Sequence, residues 1–370
     1  MNDDEFDVRV FAHNNQVDGP YPPQQWKKPT YVLEHPQTSR GKSEVISLFP
    51  KHSKFFSARI IPRIPLNNWY LRRIINQWKP DIVHALSLVP VSYSLWQALS
   101  KKKRNHPLFV VSSWGSDIYM GKDIAIDIPK LKEVLSNCDG FIADCRRDMQ
   151  NAFNLGLPEE NLAFDFAIPV TGGLDLSKIT NNIPIEKRNI ILLPKGYELF
   201  ENKIFSVLEA LNMLCDKLDG FEIHILTASE DAKRYLSLMP ESFRKYCRIH
   251  GLLQNTEVID LMQRSRVVAA PSISDGSPVA LLEAMAVGSL PVFSPLESIK
   301  EWIEDGKNGL LVHALHPNKI AQALDRALFD DRLFNSAAVI NREIIEKRAN
   351  RQIIKPQVKN YYKLLLNKKG

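Results

Sequence analysis

Residues 267–294 read VVAAPSISDGSPVALLEAMAVGSLPVFS, an order of strand, glycine-containing loop, helix and second strand. That order confines the chain to an α/β fold. Residues 267–270 form a short apolar run followed by turn signals, which suits a buried strand. Ser277 and Pro278 are expected at the N-cap and first helical position, where those residue types fit best. Gly276 lets a ligand approach the backbone where free N–H groups and the helix dipole point outward, so a diphosphate would sit there. Asp275 lies just before the helix and Glu283 almost two turns along it. Two such acceptors would hold hydroxyl-rich groups on different parts of one elongated ligand.

The same alternation runs along the whole chain, in the order of two doubly wound units. Strands are expected at 8–12, 45–49, 81–84, 109–113 and 141–143, with helices at 69–78, 92–100 and 145–156. The proline-rich stretch at 20–29 reads as loop, and residues 169–189, rich in turn formers and charge, as an interdomain linker. Beyond it come strands at 189–193 and 221–227, helices at 203–218 and up to 264, then residues 267–294. Helix 299–304, strand 310–312 and helix 317–329 follow, and residues 335–366 read as one long helix.

Length suits two domains, and 44% hydrophobic residues are ample for packed cores. No apolar run approaches the roughly 20 residues needed to cross a bilayer. The acidic start MNDDEFDV has no apolar signal core, so no export signal is expected. Cys138, Cys145, Cys215 and Cys247 show neither metal-ligand nor disulfide spacing and read as reduced, partly buried thiols, so the cytoplasm is expected. The net charge of +6 gathers at 101–104, 348–355 and 363–369, mostly as solvated helix faces and a loop. No nucleic-acid module is present, and no nucleic-acid partner is expected.

The LLEAMAVG context of Glu283, with Asp275 seven residues removed, resembles the donor-binding signature of retaining GT-B glycosyltransferases of family four, the glycosyl transferases group 1 domain. Their pattern is Glu, seven residues, Glu, and Asp275 replaces the first acid. The resemblance implies that Asp275 contacts the donor sugar and Glu283 the ribose, with the loop through Gly276, Ser277, Pro278 and Val279 on the diphosphate. Residues 79–84, KPDIVH, resemble the first-domain strand that ends at the cleft in His84. SWGSD at 113–117 resembles the loop facing acceptor and donor sugar: Trp114 stands where the family often has His, Gly115 allows a tight turn, and Asp117 could orient a hydroxyl. GGLD at 172–175 resembles a frequent end of the first domain. In PKGYELFENK, Lys195 and Lys203 occupy the places of cations that neutralise the leaving diphosphate. Asp117, Lys195 and Asp275 are thereby the implied catalytic residues.

The implied architecture is GT-B: two Rossmann-like domains facing across a cleft, with an acceptor-side domain at 1–180, a donor-nucleotide domain at 181–345 and a helix at 346–370 packing back towards the first. Family members open with a strand, a glycine-rich loop and a helix before the strand that 8–12 resembles. No glycine precedes Gly19, so the first domain is expected to lack that initial unit. The implied reaction moves a sugar from a nucleoside diphosphate sugar to an acceptor hydroxyl with retention, in surface glycan or polysaccharide assembly. No Asp-x-Asp motif stands out, so neither metal nor cofactor is expected. Glycan or lipid-linked acceptors, and with the latter a peripheral contact with the inner membrane face, are family-level expectations. A donor-binding relic or truncated transferase and a nucleotide-sugar epimerase are the competing readings.

Overall fold

Parallel strands need crossovers of a dozen or more residues, and helices fill them. The computed structural model describes residues 31–33, 44–46, 66–99, 107–119, 128–169, 172–179 and 183–369. The chain divides into two compact units, Met1–Leu71 and Arg72–Gly370. In the first, β1 (Tyr31–Leu33) and β2 (Glu44–Ile46) pair antiparallel. The strand expected at 8–12, the loop at 20–29 and the basic cluster at 101–104 lie outside the described residues.

The second unit holds two parallel sheets. β3 (Ile82–Ala85), β4 (Leu108–Ser112) and β5 (Gly140–Ile142) lie in that order. The other sheet is built from β6 (Ile190–Leu193), β7 (Glu222–Ile225), β8 (Cys247–Ile249), β9 (Ser265–Ala269), β10 (Leu290–Phe293) and β11 (Leu310–Leu311). Its order is β11-β10-β9-β6-β7-β8, with every pair parallel. Counted from its own first strand this is the 3-2-1-4-5-6 order of a doubly wound sheet, and the winding reverses between β6 and β9. Ligands of such sheets bind beyond the carboxyl ends of the strands at that point.

β6 and β9 are buried along their whole length because helices cover both faces. Ile191, Leu193, Val267 and Ala269 pack into one core, and Ile190, Leu192 and Val268 into the other. Helix Val279–Val287 is apolar nearly all round and sits inside the second core, closed by Gly288 at φ 76.

Three sequence expectations are corrected here. Helix Val279–Val287 starts one residue later than expected: Pro278 is the N-cap, and Ser277 points elsewhere. The single helix at 335–366 is two, Asp331–Arg348 and Arg351–Lys369. The break arises where Leu174 N donates to Ala349 O (2.7 Å) and Leu174 O accepts from Arg351 N (2.9 Å), so the linker takes two backbone groups at the break. Helices Ile128–Asn137 and Glu230–Leu238 were not anticipated.

Helix Arg351–Lys369 runs from that joint onto the three-stranded sheet. Its Ile354, Val358 and Leu365 pack with Val110 and Ile142.

Candidate functional site

β6 ends at Leu193 and β9 at Ala269, and the next residues of each meet at the switch point. There Lys195 Nζ forms an ion pair with Asp275 Oδ2. Ser272 Oγ donates to the same oxygen at 3.3 Å, and Ser298 Oγ to the Asp275 carbonyl at 2.8 Å. Both members of the pair are partly exposed. A cation and a carboxylate are thus held at the mouth of the sheet, within reach of a ligand that carries phosphate and hydroxyls.

Glu283 lies farther along the helix, only 7% exposed. Its Oε1 accepts from Asn255 Nδ2 at 2.9 Å, and burial raises its pKa. It lines a cavity of about 530 Å³ together with Asn255, Thr256, Val279, Asp175 and Arg351. A carboxylate with one oxygen fixed by an amide is pre-set to accept from a diol with the other.

Lys203 is turned away from this group. Its Nζ donates to Glu198 Oε1 (3.1 Å) and Leu199 O (2.7 Å), while Glu198 also accepts the Phe205 amide at 3.2 Å. Lys203 therefore ties its own loop to the start of helix Ile204–Met213.

The Gly276–Ser277 turn is filled by the protein itself. Ser277 N donates to Asp144 Oδ2 at 3.1 Å, and Ser277 Oγ donates to Asp144 O at 2.6 Å and accepts Trp302 Nε1 at 3.0 Å. The open approach expected at Gly276 is taken by that carboxylate and by Gly115. Gly115 has φ +78, and a Cβ there would overlap Gly276 Cα and N. Ser116 Oγ and Ser274 Oγ meet at 2.9 Å beside it. Asp144 was not among the sequence candidates, since no motif marks it.

On the three-stranded sheet, Trp114 is 53% exposed on the loop after β4. Asp117 is already engaged by the backbone. One oxygen accepts Leu88 N (2.7 Å), the other Trp114 N (2.9 Å), so the carboxylate staples two loops. Burial pushes its pKa up to about 6 against those hydrogen bonds. His84 is likewise engaged through both ring nitrogens. Its Nδ1 meets Tyr362 OH and its Nε2 meets Ser112 Oγ, both at 2.7 Å, and burial lowers its pKa to about 4. The ring is a neutral bridge between the sheet and the last helix.

A family model described as glycosyl transferases group 1 matches residues 194–330, and one described as glycosyl transferase 4-like matches residues 35–143. The chain belongs to the GT-B glycosyltransferases. Both Lys195 and the Asp275/Glu283 segment lie inside the first family match. Among the family's curated members, the chain is 25% identical over 152 residues to N,N'-diacetylbacillosaminyl-diphospho-undecaprenol alpha-1,3-N-acetylgalactosaminyltransferase of Campylobacter jejuni, covering 41% of this chain and 39% of that one. It is 28% identical over 224 residues to WcaL of Salmonella typhimurium, named as a candidate colanic acid biosynthesis glycosyltransferase, covering 55% and 52%. The chain thus spans about half or less of the length of these relatives. Sucrose-phosphate synthase of Thermosynechococcus elongatus shares the fold at TM-score 0.67 and 16% identity, over 91% of this chain and 86% of that one. HepE of Anabaena, solved with UDP, gives TM-score 0.65 at 14% identity over 79% and 81%. Among the described residues, no helix is long and apolar enough to cross a membrane.

Proposed function

We propose that this chain moves a sugar from a nucleoside diphosphate sugar to an acceptor hydroxyl with retention, in the assembly of a surface glycan or polysaccharide. The observation that carries the reading is the Lys195–Asp275 pair at the β6/β9 switch point. Lys195 offsets the charge that builds on the departing diphosphate, and Asp275 accepts from a donor-sugar hydroxyl. Glu283, steadied by Asn255, takes the ribose diol. HepE of Anabaena was also solved with UDP-glucose, which supports a donor of this class. The Campylobacter relative's name includes a diphospho-undecaprenol acceptor, which supports a lipid-linked acceptor met at a membrane face. Trp114, exposed beside Gly115, offers an apolar ring face to an acceptor sugar. The reading assigns no metal, because a lysine and backbone amides supply the positive field.

The test is binding of UDP-, GDP- and ADP-sugars by ligand-observed NMR, with Glu283→Ala and Lys195→Ala alongside. One nucleotide series should bind the parent chain and bind both variants more weakly. A folded parent chain that binds none of the three overturns the reading.

A further inference from the structure

Asp144 follows β5, whereas Gly276 and Ser277 follow β9 in the other sheet. The carboxylate nevertheless lies on the turn: Oδ2 accepts the Ser277 amide at 3.1 Å, and a Cβ at Gly276 would stand 2.7 Å from Oδ1. Asp144 is 3% exposed, and Oδ1 has no hydrogen-bond partner. Asp148, fully buried beside it, accepts from the Arg147 guanidinium through one oxygen, and its other oxygen is unpartnered. Burial, then the neighbouring Asp148, raises the Asp144 pKa well above the carboxylate range, and the Ser277 amide pulls it back. A buried acid with an idle oxygen and a second buried acid for neighbour is a costly occupant of an anion-binding turn.

A diphosphate brought to this turn would need the same amide, and it offers more acceptor oxygens to helix Val279–Val287 than one aspartate can. We propose that Asp144 is a built-in competitor for that diphosphate, holding the resting turn closed until a donor expels it. The proposal rests on the reading of Gly276–Ser277 as the diphosphate site. Because the carboxylate reaches the turn from the three-stranded sheet, expelling it also loosens the Gly115–Gly276 contact. Donor entry and parting of the two loops become one event.

The test uses the full chain with Asp144→Ala and Asp144→Asn, the latter keeping the shape while turning one carboxyl oxygen into an amide donor. Hydrogen exchange of the peptide carrying Ser277, without ligand, reads the contact; calorimetry with inorganic pyrophosphate and with UDP reads the competition. Asp144→Ala should speed exchange at Ser277 and tighten pyrophosphate about tenfold, as expected if nine-tenths of the resting molecules are closed. Asp144→Asn should fall between, and it carries the test if the alanine variant does not fold. Unchanged exchange, or pyrophosphate bound no more tightly by a folded variant, overturns the proposal. Tightened pyrophosphate with no UDP binding in any variant upholds the competitor and instead sinks the nucleotide-sugar reading.

Discussion

Gly172 and Gly173 are neighbours with the same handedness and different surroundings, which separates backbone strain from crowding. Their φ values are +66 and +85. A Cβ on Gly172 would meet nothing within 4 Å, so Gly172→Ala should cost only the left-handed penalty, about 1–2 kcal/mol. A Cβ on Gly173 would lie 2.8 Å from both Ala349 O and Arg351 N. Ordinary contact begins near 3.4 Å, so the linker and the helix joint must separate by about 0.6 Å. That strains the two Leu174 backbone bonds and the Arg351 guanidinium's bonds to Gly173 O at 3.0 and 3.2 Å. At about 0.5–1.5 kcal/mol for each of the four bonds weakened, added to the left-handed penalty, Gly173→Ala should cost about 3–8 kcal/mol in all. Chemical unfolding followed by circular dichroism gives both numbers. Equal losses in the two variants would refute the reasoning, because the joint would then tolerate the added carbon. Arg351 and Asp175 line the Glu283 cavity, so Gly173→Ala should also weaken nucleotide binding while Gly172→Ala leaves it near the parent value.

His84 has a folded pKa of about 4 against 6.5 when unfolded, so the unfolded chain alone takes up that proton between those values. The ring's contribution is therefore present above pH 6.5 and falls towards pH 4 by about 3 kcal/mol; His84→Gln should flatten that slope in melts across this range. Asp117 acts with opposite sign, adding stability as pH drops through about 6, so parent and variant must be compared at each pH. Lys195→Ala should weaken nucleotide binding at least tenfold, whereas Lys203→Ala should cost about 1 kcal/mol of stability and change binding little, since Lys203 is spent on Glu198 and Leu199. Asn255→Ala leaves the buried Glu283 oxygen without its donor, and should weaken UDP binding severalfold in calorimetry while lowering stability by about 1–3 kcal/mol in melts.

Where local chemistry decides the structure, the sequence was readable. Helix Pro317–Phe329 opens on a proline at its first position and was read to the residue. The alternation of apolar runs with helical stretches matched the parallel strands, and the Asp275/Glu283 segment led to the family. What stayed hidden depends on partners far along the chain. Within residues 335–366 only Asn350, whose Oδ1 accepts from Gln352 N at 2.9 Å, and Pro356 hint at a new helix start, and Leu174 completes the break at Ala349 from the linker. The filling of the Gly276 turn by Asp144 joins residues 133 apart. His84 resembled a cleft residue by its place at a strand end, but Tyr362 and Ser112 claim both nitrogens.

The last helix carries a consequence for biosynthesis. Val110 and Ile142 share a core with Ile354, Val358 and Leu365, so the three-stranded sheet is completed by a segment made more than two hundred residues later. At about 5–20 residues per second, the ribosome leaves that apolar face uncovered for roughly 10–40 s. The whole six-stranded sheet, from Ile190 to Leu311, is made within that interval, and a nascent chain of this design would gain from a holding chaperone.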